Sequence, residues 1–181
     1  MVGNRGLGGF TALLLGSVGI TVAACAPSSV VVVRGPQAHP EGPVVVGVDG
    51  SPRGAAALVT AFQEASRRGV GVMVVHAWTF PLHLEAVDDG YEALYAEGRR
   101  AGQELLDKSV AEATASFPHV EVELRLGDRS SAAELVAASD DAQLVVVGTR
   151  GLGGLRGALL GSTTHALLHH AACPVFVQHA G

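Results

Sequence analysis

Four positions near the C-terminal end carry the clearest chemical signal: Gly148, Gly151, Gly161 and Ser162, spaced Gly-x2-Gly-x9-Gly-Ser and preceded by the apolar run Leu144 to Val147. Glycines directly after a strand let backbone N–H groups approach an anion with no Cβ in the way. A helix that starts at the last of them adds unpaired N–H donors and the positive end of its dipole, which together favour phosphate. Ser162 is placed both to cap that helix and to donate to a phosphate oxygen. Arg150 can reach a phosphate or a ribose, although an arginine in a glycine loop is equally well read as a solvated charge. Lys108 is the sole lysine, which excludes a GxxxxGK[ST] phosphate loop and a lysine Schiff base in any glycine-rich segment. There is no nucleophile elbow and no HExxH, so the sequence shows no catalytic constellation.

Positioning such a loop requires a strand-helix framework, and the rest of the chain supplies one. Val44 to Val48, Val70 to Ala77, Val120 to Leu126, Leu144 to Val147 and Pro174 to Val177 read as valine-rich strands. Between them, helices are expected from Ser51-Pro52 to Arg68, from Tyr91 to Ser116, after Ser131 with Glu134 as a capping box, and from Ser162 to Ala171. Strands separated by crossover helices predict an α/β fold with an open, five-stranded parallel sheet, Rossmann-like, in the order 3-2-1-4-5. In such a sheet, ligands sit beyond the carboxyl ends of the strands. The sites to inspect are therefore Asp49-Gly50-Ser51, His76-Ala77-Trp78, Gly127-Asp128-Arg129 and the run from Gly148 to Gly154.

Composition agrees with that framework. The 181 residues carry net charge −5 with 16% charged side chains, neither a disordered tail nor a basic coat for nucleic acid. Aromatic residues are only 4% against 48% hydrophobic, so the core must be built from Val, Leu and Ala. Cys25 and Cys173 are too few for a disulfide framework and read as small buried apolar residues in a cytoplasmic protein.

The N-terminal segment contains an apolar stretch, Phe10 to Ala24, followed by Cys25 in a lipoprotein-like context, which raises a secretory reading. It is too short to span a membrane. An internal repeat favours another explanation: shifting the chain by 145 residues lays Val2 to Ser17 on Val147 to Ser162 without a gap, and Val30 to Val33 on Val175 to Gln178. The expected organisation is a helix-strand piece of a second copy over 1–34, a proline- and glycine-rich linker over 35–42, and a complete domain over 43–181.

The chain resembles the nucleotide-binding type of universal stress protein. The resemblance rests on Gly148, Gly151, Gly161 and Ser162, on Val48-Asp49-Gly50-Ser51, on His76-Ala77 and on Cys173-Pro174-Val175, and it covers residues 43 to 181. It implies ATP, with Mg2+ or another divalent ion accompanying the phosphates. Adenine would fall to Val48, Asp49 and Ala77; ribose and phosphates to Gly148, Thr149, Arg150, Gly151, Gly161, Ser162 and Thr163, with Val147 at the end of the preceding strand. Gly3, Gly6, Gly16 and Ser17 repeat the spacing, so 1–34 resembles the end of another such domain in a tandem protein, with Ala26-Pro27-Ser28-Ser29 where the second copy has Ala171-Ala172-Cys173-Pro174. Domains of the family pair through their last strands, which implies a homodimer, or a pseudo-dimer between Val30–Val33 and Val175–Gln178. The expected function is a regulatory module in stress response, with no catalytic residue, no nucleic acid and no membrane.

Other classes stay open at this point. An ATP-hydrolysing enzyme would draw on Asp128 and Arg129, and a nucleotide-free interaction module would keep the glycines for turns alone. Asp49 and Ser51 serve equally as helix caps, and His76 as a strand-end packing residue. His165 and His169 lie i, i+4 with His170 and His179 nearby, but no carboxylate or cysteine completes a metal spacing. Trp78, Asp88, Asp89 and Tyr91 fall in a loop that covers the ligand or is simply solvated.

Overall fold

A computed structural model describes residues 2–3, 16–33, 39–78, 90–152 and 160–179. Its elements are β1 (Val2–Gly3), α1 (Ser17–Cys25), β2 (Val30–Val33), β3 (Val44–Gly47), α2 (Pro52–Arg68), β4 (Val72–Ala77), α3 (Gly90–Ser116), β5 (Val122–Gly127), α4 (Ser131–Ala138), β6 (Leu144–Gly148), α5 (Ser162–His170) and β7 (Val175–Gln178). They form one seven-stranded sheet in the order β1-β2-β7-β6-β3-β4-β5. Every neighbouring pair is parallel except β2 with β7. Taken alone, the five strands from β3 to β7 have the arrangement 3-2-1-4-5 in their own numbering.

Side chains alternate across the valine strands and so build two cores, one on each face. Val45, Val75, Val145, Val147, Val175 and Val177 pack with Leu135, Leu167 and Leu168 of α4 and α5. Val44, Val46, Val72, Val74 and Val146 pack with Leu58, Phe62 and Leu106 of α2 and α3. Helix α2 follows the sequence signals closely. Ser51 accepts the N–H of Gly54 at 3.0 Å, Pro52 takes the first turn, and Gly69 at φ 69° ends the helix in a left-handed cap. Helix α4 starts differently from expectation: its cap is Ser130, which accepts the N–H of Ala133 at 3.2 Å, while Glu134 turns to Arg129 and closes no capping box with Ser131.

The repeat in sequence is matched in geometry. A shift of 145 residues carries α1 onto α5, their caps Gly16 and Gly161 onto one another, and the β1–β2 register Val2↔Val32 onto Val147↔Val177. The antiparallel pairs Val30↔Val177, Val31↔Phe176 and Val32↔Val175 are symmetric under the same shift, so a local two-fold passes between Val31 and Phe176. Val32 and Ala23 are fully buried there. His179 adds a clamp, its Nε2–H donating to the carbonyl of Ala23 at 2.9 Å and its N–H to Ser29 Oγ at 3.3 Å. Cys25 ends α1 and is exposed rather than buried, because α1 turns only part of its surface to the core; Cys173 is buried as expected. Of the expected linker over 35–42, residues 35–38 lie outside the described residues, whereas Gly42 is docked, its carbonyl accepting from Gln143 Nε2 at 2.9 Å.

Candidate functional site

The strand ends open into a cleft of 690 Å³ beyond β3, β4 and β6. It brings together Val48, Asp49, Ala77, Val147, Gly148, Arg150, Gly151, Gly161, Ser162 and Thr163. Leu152, within the run from Gly148 to Gly154, lines it too, as do Val75, Ser131, Leu135, Thr164 and His165, which the sequence did not single out as ligand contacts. Their signal was available in part: Val75 lies two residues before Ala77, and Ser131 begins the helix that follows Asp128 and Arg129. Thr149 is the one expected residue outside the lining. It is buried, with its N–H donating to Gln178 at 3.2 Å and its carbonyl accepting from Gly161 at 2.8 Å.

The glycine loop is closed at its base and tied across to β3. Thr164 Oγ1 donates to the Gly148 carbonyl at 2.8 Å, alongside the Gly161–Thr149 bond. Asp49 holds the other side, its Oδ1 accepting from the Ser51 N–H at 3.0 Å and its Oδ2 from the Leu152 N–H at 2.7 Å. Burial raises the Asp49 pKa, but hydrogen bonds from Ser51 and from the Leu152 N–H outweigh it and leave the carboxyl below its ordinary value. Gly151 sits so close to this carboxylate that a Cβ would fall 2.4 Å from Oδ2. Gly153 and Gly154 lie outside the described residues.

Three helices, α2, α4 and α5, line the cleft with their first turns, and they differ in one respect. Helices α2 and α4 spend a serine side chain on their own first-turn N–H groups. Helix α5 has Gly161 as its cap, at φ −70° and ψ 154°, with no side chain to serve that purpose. Ser162 is therefore the first helical residue and not the cap, and the first-turn donors of α5 remain turned to the cleft. Arg150 lines the same cleft with its Nε buried and without a hydrogen-bond partner.

At the other end, Val48 spends both backbone groups. Its N–H donates to Val75 at 3.0 Å, and its carbonyl accepts at 2.9 Å from His76 Nδ1, which must carry the hydrogen. In a parallel ladder a residue points both its N–H and its C=O to one side. Val75 points to β3, so Ala77 points the same way, past the end of β3 and into the cleft. Asp128 and Arg129 line a separate, smaller cleft of 310 Å³. Among the described residues no group of three or more His, Cys, Asp or Glu is arranged to hold a metal ion. The rings of His165 and His169 do meet, tilted 49° to one another with centroids 4.6 Å apart. Asp88 and Asp89 lie outside the described residues. Among the described residues no helix is long and apolar enough to cross a membrane.

Comparison with known proteins agrees with this arrangement. Residues 42–179 match the sequence profile described as the Universal stress protein family. A curated relative from Mycolicibacterium smegmatis, named a universal stress protein, is 38% identical over 180 residues, covering 98% of this chain and 60% of its own. The chain thus spans about 60% of the length of the curated relatives it matches. A crystal structure of a universal stress protein in complex with cAMP superposes with a TM-score of 0.56 at 28% identity, covering 77% of this chain and 97% of that one. A universal stress protein structure from Pseudomonas aeruginosa shares the fold over 98% of this chain and 62% of its own, with a TM-score of 0.69 at 19% identity. With the profile spanning the five strands from β3 to β7 and the relatives extending over nearly all the rest, this chain belongs to the universal stress protein family.

Proposed function

We propose that the chain is an ATP-binding regulatory module, in which the 690 Å³ cleft takes the nucleotide and its occupancy is the signal. The observation that carries this reading is the uncapped start of α5 beside the buried, unpartnered Nε of Arg150, because a phosphate chain would satisfy both at once. The volume lies within the usual range of roughly 300–1,000 Å³ for small-molecule sites.

Adenine would lie at the β4 end, with the N–H and C=O of Ala77 on its hydrogen-bonding edge and Val48, Val75 and Leu135 as walls. Asp49 keeps lone pairs for the base or a ribose hydroxyl after accepting from Ser51 and Leu152. Gly148, Gly151, Gly161, Ser162, Thr163 and Arg150 would surround ribose and phosphates. Thr149 would act indirectly, by holding Gly161 in place. A magnesium ion would travel with the phosphates and take most of its oxygens from them and from water.

The two groups that an ATP-hydrolysing reading required, Asp128 and Arg129, face the other cleft, and Arg129 is held by Glu134. Signalling by occupancy is thus better supported than turnover. Residues 1–34 we read as the end of a second domain of the same kind, and the β2–β7 contact as a pseudo-dimer within the chain, because both strand registers repeat under the 145-residue shift.

The test is calorimetric titration of ATP with magnesium, and of ADP, AMP and cAMP, into nucleotide-stripped protein, beside a Gly151→Val variant. Binding near micromolar, on the order of −8 kcal/mol, that is lost in a still-folded variant is the expected result. A folded chain that takes none of the four makes the loop architectural and the molecule a nucleotide-free interaction module.

A further inference from the structure

We propose that the smaller cleft, of 310 Å³, is a second ligand site, selective for a multiply charged oxyanion such as a diphosphate or a tricarboxylate. It opens at the same edge of the sheet, one residue along from the larger cleft: Ala77 lines one and Trp78 the other. Three arginines on three elements line it, Arg99 on α3, Arg125 on β5 and Arg129 in the turn that follows. That convergence stands out in a chain whose net charge is −5.

The cleft is built as a receptor in two ways. Glu134, whose side chain is only 9% exposed, accepts from Arg129 Nε at 2.8 Å and Nη2 at 3.2 Å, and from the Arg129 N–H at 3.2 Å. It therefore fixes the orientation of the guanidinium of a side chain that is 57% exposed. Gly127 makes this possible, since a Cβ there would fall 2.4 Å from Glu134 Cγ. Arg125 has a different status. Its carboxylate partner Glu123 stands at 3.2 Å on the solvent side, 59% exposed, and such a pair yields readily to a competing anion. Glu134 is committed to Arg129, so the attraction falls to Arg99 and Arg125, and an anion with two or more charged oxygens gains most by engaging both and displacing Glu123. The inference does not depend on what occupies the larger cleft.

The experiment is calorimetric titration of the full chain, at low salt, with sodium pyrophosphate and separately with citrate. At least one is expected to bind with a Kd below about 1 mM. That binding is expected to weaken at least about tenfold in an Arg99→Gln/Arg125→Gln double variant and to persist in Gly151→Val. Preference for pyrophosphate assigns the site to phosphate esters, and preference for citrate assigns it to carboxylates. No binding of either anion overturns the proposal. So does binding that the double substitution leaves unchanged, or that Gly151→Val abolishes, since the anion then sits in the glycine cleft.

Discussion

The carboxylate of Asp49 accepts the N–H of Leu152 at 2.7 Å, joining the end of β3 to the glycine loop across 103 residues of sequence. It makes the loop part of the cleft wall. An Asp49→Ala variant loses this exposed bond and the part-buried one from Ser51, at a cost of about 1–2 kcal/mol. The same bonds set a pH dependence. Hydrogen bonding leaves the Asp49 pKa below its unfolded value, so its contribution is fully present above the ordinary carboxylate range and disappears as pH falls through the folded pKa. Urea midpoints of the parent and of Asp49→Ala are expected to differ at pH 7 and to converge in acid. A gap that persists at the lowest pH at which both fold would show that the carboxylate charge is not what holds the loop.

Much of this site was readable in the sequence because its signals are local. Gly148, Gly151 and Gly161 announce a close backbone approach, and the Ser51-Pro52 start of α2 needs only its own first turn. The Asp49–Leu152 tie has no local signature, since nothing within either segment specifies the other. The one-residue error at α4 has a similar origin: Ser130 and Ser131 are equally good caps in isolation, and the choice follows from Glu134 being claimed by Arg129. Thr149 looked like a ligand contact by position in the motif, yet its backbone is used up by Gln178 and Gly161. Cys25 is exposed because the tendency of free cysteine to be buried does not say which residues of α1 lack cover.

That difference between the two cysteines can be measured. Burial pushes the Cys173 thiol up to about 12, whereas Cys25 is exposed at the end of α1. A chromogenic disulfide reagent at pH 8 is expected to modify one thiol promptly in the native protein and the second only after denaturant is added. Prompt reaction at both would mean that the β6–β7 end of the sheet opens under native conditions, because Cys173 belongs to the core beneath it.

The β2–β7 contact makes a prediction about assembly. The outer edge of β7 is occupied by β2, so pairing of two chains through β7 requires that β2 be displaced. Val32→Asp places a carboxylate at a fully buried position and is expected to cost about 3 kcal/mol or more, enough to unseat the segment. The uncovered, valine-rich edge should then recruit a second chain. Sedimentation is expected to show concentration-dependent dimers for Val32→Asp that are absent from the parent. Equal masses for the two at all concentrations would show that β2 does not guard this edge.

Gly98 offers a test in which two physical effects oppose each other. It lies inside the 27-residue helix α3, where replacing glycine by alanine ordinarily stabilises by about 1 kcal/mol. Here a Cβ would fall 1.9 Å from Cζ2 and 2.3 Å from Cε2 of Trp78, whose indole lies against the helix backbone with Tyr95 beside it at a centroid distance of 5.2 Å. Tyr95 stands three residues before Gly98 on the same helix, so an indole pushed off Gly98 gives up its contact with Tyr95 as well, and the steric cost exceeds the gain in helix propensity. Gly98→Ala is therefore expected to lower the denaturation midpoint. Because Trp78 is the only tryptophan, its emission should also shift to the red as the ring is pushed toward solvent. A higher midpoint with unchanged emission would show that the indole is not seated on α3, and would remove that wall from the smaller cleft as well.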